Sequence, residues 1–118
     1  MDSRQILEAF DEVAKRRGWS RLHTPKNLSM ALSVEVAELM RHLQWRSDEE
    51  ILQLFASAEG CTAIAELADI QMYLLKLADT LGVDMEQALA EKITENRRRC
   101  AAAEDPGEEG PGGPSGRS

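Results

Sequence analysis

Only two cysteines, two histidines and five aromatic side chains (two tryptophans, one tyrosine, two phenylalanines) occur in the 118 residues. Cys61 and Cys100 have neither metal-ligand spacing nor company enough for a disulfide framework, so they read as ordinary helix residues. No apolar run approaches a membrane span. The first residues are charged and lack the apolar stretch of a signal peptide, which gives the expectation of a soluble, cytoplasmic protein. Positive charge is also in deficit: the formal net charge of -7 argues against a nucleic-acid polymer as partner, because such binding needs clustered lysine and arginine. A small anion delivered with a metal is compatible with that charge. No segment alternates apolar and polar residues long enough for a strand, and no repeat recurs at solenoid periods.

What is present is helical periodicity, and the expected class is all-α. The pattern predicts a first helix over Ser3–Arg17, with Ile6, Leu7, Phe10, Val13 and Ala14 on its apolar stripe and Gly18 ending it. Thr24 and Pro25 read as N-cap and first position of a second helix running to about Arg46. Ser47 and Glu50 form a capping box for a short helix to about Ala58, and "EGC" interrupts the chain. A fourth helix is expected over Thr62–Leu81, stopped by Gly82. Asp84 and Gln87 then open a last helix to about Ala102. Residues 1–102 thus make one domain, four-helix-bundle-like with an extra short helix. From Ala103 the chain is dense in Gly, Pro and Glu and has almost nothing to bury, so 103–118 is expected to be a disordered tail.

The chemistry concentrates on the second and fourth helices. At 100° per residue, Leu28, Leu32, Val36, Leu39 and Leu43 cover one sector of the second helix, and Glu35, Glu38 and His42 border it. Ser33, Arg41 and Gln44 already supply a solvated face, so the glutamates are not needed for solubility. The fourth helix repeats the construction: Leu67, Ile70, Leu74, Leu77 and Leu81 form the apolar side, and Glu66, Asp69 and Tyr73 group at its margin. An i,i+3 acidic pair on one helix is commonplace. Two such pairs beside apolar stripes that must pack together are less commonplace: if they face each other, four carboxylates share one pocket, where repulsion and desolvation call for a cation. Mg²⁺ suits oxygen ligands shared with substrate phosphates, whereas zinc favours the Cys and His that are scarce here. The di-iron pattern of Glu-x-x-His is missed by one residue between Glu38 and His42.

Two further groups complete the candidate site. Lys92, Asn96 and Arg99 lie at i, i+4 and i+7 on the last helix, where they can grip phosphate oxygens. Trp19, His23, Asn27, Trp45 and Tyr73 can form a slot for a nucleobase, aromatic faces stacking on it and polar neighbours reading its edge.

Glu35-x-x-Glu38, Glu66-x-x-Asp69 and Lys92…Asn96…Arg99 resemble the MazG-like all-α nucleoside triphosphate pyrophosphohydrolases. Trp19, His23, Pro25, Lys26 and Asn27, the stretch "VEVAEL…QW" ending at Trp45, and Tyr73 resemble the small dCTP pyrophosphatase branch. The likeness runs over about residues 4 to 100. It implies Mg²⁺-dependent cleavage of a (deoxy)nucleoside triphosphate, dCTP or a modified dCTP, between the α and β phosphates, releasing monophosphate and pyrophosphate in removal of unwanted nucleotides. It also implies magnesium ligation by Glu35, Glu38, Glu66 and Asp69, phosphate contacts from Lys92, Asn96 and Arg99, a base and sugar pocket from Trp19, His23, Asn27, Trp45 and Tyr73, and assembly as a dimer or tetramer. Glu35, closest to the apolar stripe, is the expected activator of water, with Glu38 beside it. Val34 stands where the wider family often has a glutamate, and Phe10 where some dCTP-specific relatives have histidine. The alternatives are a non-catalytic helical module binding nucleotide or a partner helix, and a related hydrolase acting on phosphoribosyl-ATP.

Overall fold

A computed structural model describes residues 1–103, and every described element is helical: α1 (Ser3–Arg16), α2 (Pro25–Leu43), α3 (Asp48–Ala56), α4 (Cys61–Thr80) and α5 (Met85–Ala103), with 3₁₀ turns at Ser20–Leu22 and Ala58–Gly60. The chain divides into two units, one covering Met1–Val83 and one beginning at Asp84, which carries α5. The expected tail lies, from residue 104 on, outside the described residues; Ala103, assigned to it from composition, is the last residue of α5.

Local chemistry sets the helix ends. Asp2 and Gln5 form a reciprocal capping box on α1, the Gln5 amide donating to Asp2 Oδ1 at 2.9 Å and the Asp2 amide to Gln5 Oε1 at 2.8 Å. Gly18 follows α1 at φ 73°, and Gly82 follows α4 at φ 69°, the left-handed conformation that ends a helix without a Cβ clash. Thr24 caps α2, its hydroxyl accepting from the Asn27 amide at 3.2 Å, with Pro25 at the first helical position. The Asp84 carboxylate accepts from the Gln87 amide at 3.1 Å at the start of α5.

Two expected boundaries move by more than one residue. α2 ends at Leu43, not Arg46, because Ser47 must be extended (ψ 166°) to cap α3, so the helix unwinds before it. In the intervening turn Arg46 donates to the His42 carbonyl. α3 closes at Ala56, and Ser57 both ends it and accepts from the Glu59 amide to start the next turn.

Gly60 makes the corner between α3 and α4 feasible, the two segments meeting at a 97° bend. A Cβ built there would lie 2.4 Å from the Leu54 carbonyl oxygen and 3.0 Å from Phe55 Cα. Both obstacles are backbone, so they cannot rotate away. Gly60→Ala is therefore expected to destabilise the fold by about 2 kcal/mol, within the usual range for overpacking a tight contact, as measured by urea unfolding at equilibrium.

In the first unit α2 packs along α4, and α1 packs on α4. The fully buried apolar set is small: Leu7, Ala14, Leu28, Ala63 and Ala78. The stripe expected to be core on α4 is largely not covered: Leu67, Leu74 and Leu81 are exposed while Ala63 and Ala78 are sealed. Small side chains let the helices approach closely, and the bulky ones are pushed to the edges of the contact. Val36 on α2 is likewise exposed, joined by Met30, Val34 and Met40. No single helix among the described residues is long and apolar enough to cross a membrane.

Candidate functional site

The packing of α2 on α4 turns two helical margins into one acidic centre. Glu35 from α2 meets Glu66 and Asp69 from α4, one carboxylate oxygen from each lying within 4.8 Å of the others. All three are half-buried. That spacing suits a hard divalent cation, which takes oxygen ligands from several carboxylates at once. Glu38 is not in this group. One turn along α2 it pairs loosely with Arg41 at 3.9 Å, although its charge still acts on Glu35.

The electrostatics of the cluster fall on Glu35. Burial comes first, then a hydrogen bond shared with Glu66, then the charges of Asp69, Glu66 and Glu38; together they push the Glu35 carboxyl from an ordinary 4.5 up to about 7. Three carboxylates so close cannot all be ionised cheaply without a cation, and the proton on Glu35 takes that role.

Tyr73, one turn beyond Asp69 on α4, belongs to the same neighbourhood. Burial raises its hydroxyl pKa first, and the charges of Glu35 and Asp69 add to the effect. Its ring meets Phe10 edge-on at 5.5 Å between centroids, and Phe10 in turn lies 5.2 Å from the His23 imidazole. Phe10 on α1 thus links two predicted site residues that are fifty positions apart. His23 is held neutral more firmly than usual, by burial and by Lys76, with Asp11 opposing. Its Nδ1 is buried without a hydrogen-bond partner.

The remaining predicted residues are more scattered. The Asn27 amide nitrogen donates to the Leu22 carbonyl at 2.9 Å, tying the 3₁₀ turn to the start of α2. Trp19 is part-exposed, with the Arg17 guanidinium 5.1 Å from its ring centroid. Trp45 is 86% exposed and borders a separate open depression with Glu50, Gln53 and Leu54. On α5, Lys92, Asn96 and Arg99 are all exposed; Glu95, between them in sequence, holds Arg98 at 2.6 Å and lies 3.9 Å from Arg99.

Sequence reasoning missed a second polar group. Lys76 has only 14% of its side chain exposed, and its ammonium lies 2.9 Å from Asp11 on α1 and 3.6 Å from Asp79 on α4. The signal was available, because Lys76 follows Asp69 by two helical turns and shares its face.

The fold and site define a class of all-α helical proteins with a carboxylate cluster, able to coordinate a divalent cation, between two packed helices. Within it the assignment is specific: the profile of the MazG-like family matches residues 30–112, and the chain belongs to that family. It is 43% identical over 95 residues to dCTP pyrophosphatase 1 of Bos taurus, covering 80% of this chain and 56% of that protein. The human protein of the same name is 39% identical over 98 residues, covering 82% and 58%. The chain therefore spans a little over half the length of these curated relatives. Among solved structures, a pyrophosphatase from Archaeoglobus fulgidus superposes with a TM-score of 0.71 at 36% identity, covering 81% of this chain and 89% of that one.

Proposed function

We propose that this chain is a divalent-metal-dependent pyrophosphohydrolase that converts a deoxynucleoside triphosphate, with dCTP the leading substrate, to monophosphate and pyrophosphate. The observation that carries the reading is the convergence of Glu35, Glu66 and Asp69, one oxygen of each within 4.8 Å of the others. Family membership and the names of the relatives supply the substrate class. Mg²⁺ is the proposed ion, held by Glu35, Glu66 and Asp69, with Glu38 contributing from the rim. When bound, it supplies charge neutralisation and polarisation of phosphate oxygens.

Glu35 is the proposed base. A carboxylate has two oxygens, so Glu35 can face the ion with one and take a proton from a water with the other. Taking the proton from a water lets that oxygen bond to the α-phosphorus while the bond from phosphorus to the bridging oxygen breaks, the electron pair leaving with pyrophosphate. Lys92, Asn96 and Arg99 are proposed to contact phosphate oxygens, the lysine and arginine through charge-assisted hydrogen bonds. Trp19, His23, Asn27, Trp45 and Tyr73 are proposed to enclose base and sugar. The exposed Met30, Val34, Val36 and Met40 of α2 and Leu67, Leu74 and Leu81 of α4 support assembly into a dimer or tetramer, since a monomer rarely leaves so many bulky apolar side chains in water.

Incubating the protein with a panel of nucleoside triphosphates and phosphoribosyl-ATP, with and without Mg²⁺, and detecting pyrophosphate tests the reading. The expected result is release from dCTP in the presence of Mg²⁺ and none after chelation. Release from phosphoribosyl-ATP alone would move the substrate, and binding without any release would make the chain a non-catalytic module.

A further inference from the structure

The Asp11–Lys76 pair, its lysine largely covered and its carboxylate half open to solvent, takes no part in the proposed mechanism and lines a cavity of about 290 Å³ together with Lys15, Ser20 and His23. Its position relative to the acidic cluster is fixed by one helix. Asp69, Tyr73 and Lys76 fall at i, i+4 and i+7 on α4, a single stripe, and the helical rise puts Lys76 about 10 Å along the axis from Asp69. That length is comparable with the span from the phosphates of a nucleotide to the outer edge of its base. The wall between the two ends is aromatic, Tyr73 to Phe10 to His23.

The cavity end is polar in a defined way. The Lys76 ammonium engages Oδ1 of Asp11 at 2.9 Å and Oδ2 of Asp79 at 3.6 Å. An ammonium has three donors and a carboxylate two oxygens, so the pair still has one N–H and one acceptor oxygen to offer side by side. His23, which lines the same cavity, has its Nδ1 buried without a partner. A buried polar group left unpaired costs free energy, which a ligand's complementary edge would recover.

Resting on the reading of the preceding subsection, we propose that Asp11 and Lys76 select the base of the substrate: Asp11 accepts from an exocyclic amine such as that of cytosine, and Lys76 donates to the ring nitrogen beside it. A carboxylate cannot donate, so Asp11 repels the carbonyl that uracil presents at the same place. Discrimination comes from that repulsion as much as from the attraction.

The test is kcat/KM for dCTP and dUTP, which differ at this edge, in wild-type protein, Asp11→Asn and Lys76→Gln, with thermal melting of each. Wild type is expected to favour dCTP by at least about tenfold, and Asp11→Asn, which can donate as well as accept, to cut that preference about tenfold by gaining on dUTP. Lys76→Gln is expected to raise KM for dCTP more than it lowers kcat. A ratio that stays constant while both substrates or the melting temperature fall would overturn the inference and leave the pair as a tie between α1 and α4. Should Asp11→Asn fail to fold, Asp11→Glu keeps the charge but displaces the carboxylate by one methylene; an unchanged ratio there overturns the inference equally. A wild-type protein that hydrolyses no nucleotide removes both this inference and the proposed function, whereas one that hydrolyses dCTP and dUTP alike removes the inference alone.

Discussion

Replacing Glu35 with glutamine is expected to give a folded protein that binds nucleotide and turns it over roughly 10²–10⁴-fold more slowly, the range a positioned acid–base group contributes. Glutamine is close in shape to a protonated glutamate, and the metal-free protein holds Glu35 largely protonated below a pKa of about 7. The substitution therefore keeps the side chain's volume and hydrogen-bond capacity at the α2–α4 contact. What it removes is the ability to take a proton. Measuring kcat by pyrophosphate release, alongside nucleotide affinity by calorimetry, separates the two: a near-normal rate would take Glu35 out of the base role, and lost affinity with an unchanged rate would make it a binding residue.

Asp69→Asn is expected to abolish Mg²⁺-dependent turnover and, at the same time, to stabilise the metal-free protein near neutral pH. Asp69 offers one of the three clustered oxygens, so its loss weakens cation binding. Its charge is also among the causes that raise the Glu35 pKa, after burial and the Glu66 hydrogen bond. The sign of the pH dependence follows from that shift. Between the ordinary value of 4.5 and about 7, folded Glu35 retains a proton that the unfolded chain has released, so stability falls as pH rises through this window. The metal-free wild-type melting temperature is expected to be higher near pH 5 than near pH 7.5. Saturating Mg²⁺, binding only the folded state, should flatten or reverse that slope. Differential scanning calorimetry at several pH values, with EDTA or Mg²⁺, reads all of this; a slope indifferent to metal would dissociate the cluster from cation binding.

The helices and their caps were legible because their signals are local. Thr24-Pro25, the Ser47/Glu50 box, Gly18 and Gly82 each act within a turn of their own position, and each stands where the sequence places it. The α2 terminus was misplaced because it is decided by its neighbour: Ser47 had to be extended to start α3. The carboxylate centre was legible in part. Periodicity puts Glu35, Glu38, Glu66 and Asp69 beside apolar faces, but only the rotation of α2 against α4 brings Glu35 to Glu66 and Asp69 and leaves Glu38 toward Arg41. The same periodicity overstated the core of α4, since it counts apolar residues without knowing which of them meet an alanine and which meet solvent. Periodicity could put Lys76 on the face of Asp69, but its pairing with Asp11, and the contact of Phe10 with Tyr73, form only when α1 lies on α4.

One uninterrupted helix carries Glu66, Asp69, Tyr73 and Lys76. Inserting or deleting a single residue within that stretch would swing everything beyond it by about 100° and scatter the stripe. Descendants of this protein can explore new chemistry there by exchanging side chains, while changes of length are confined to the loops, so the spacing acts as a ruler that substitution leaves intact.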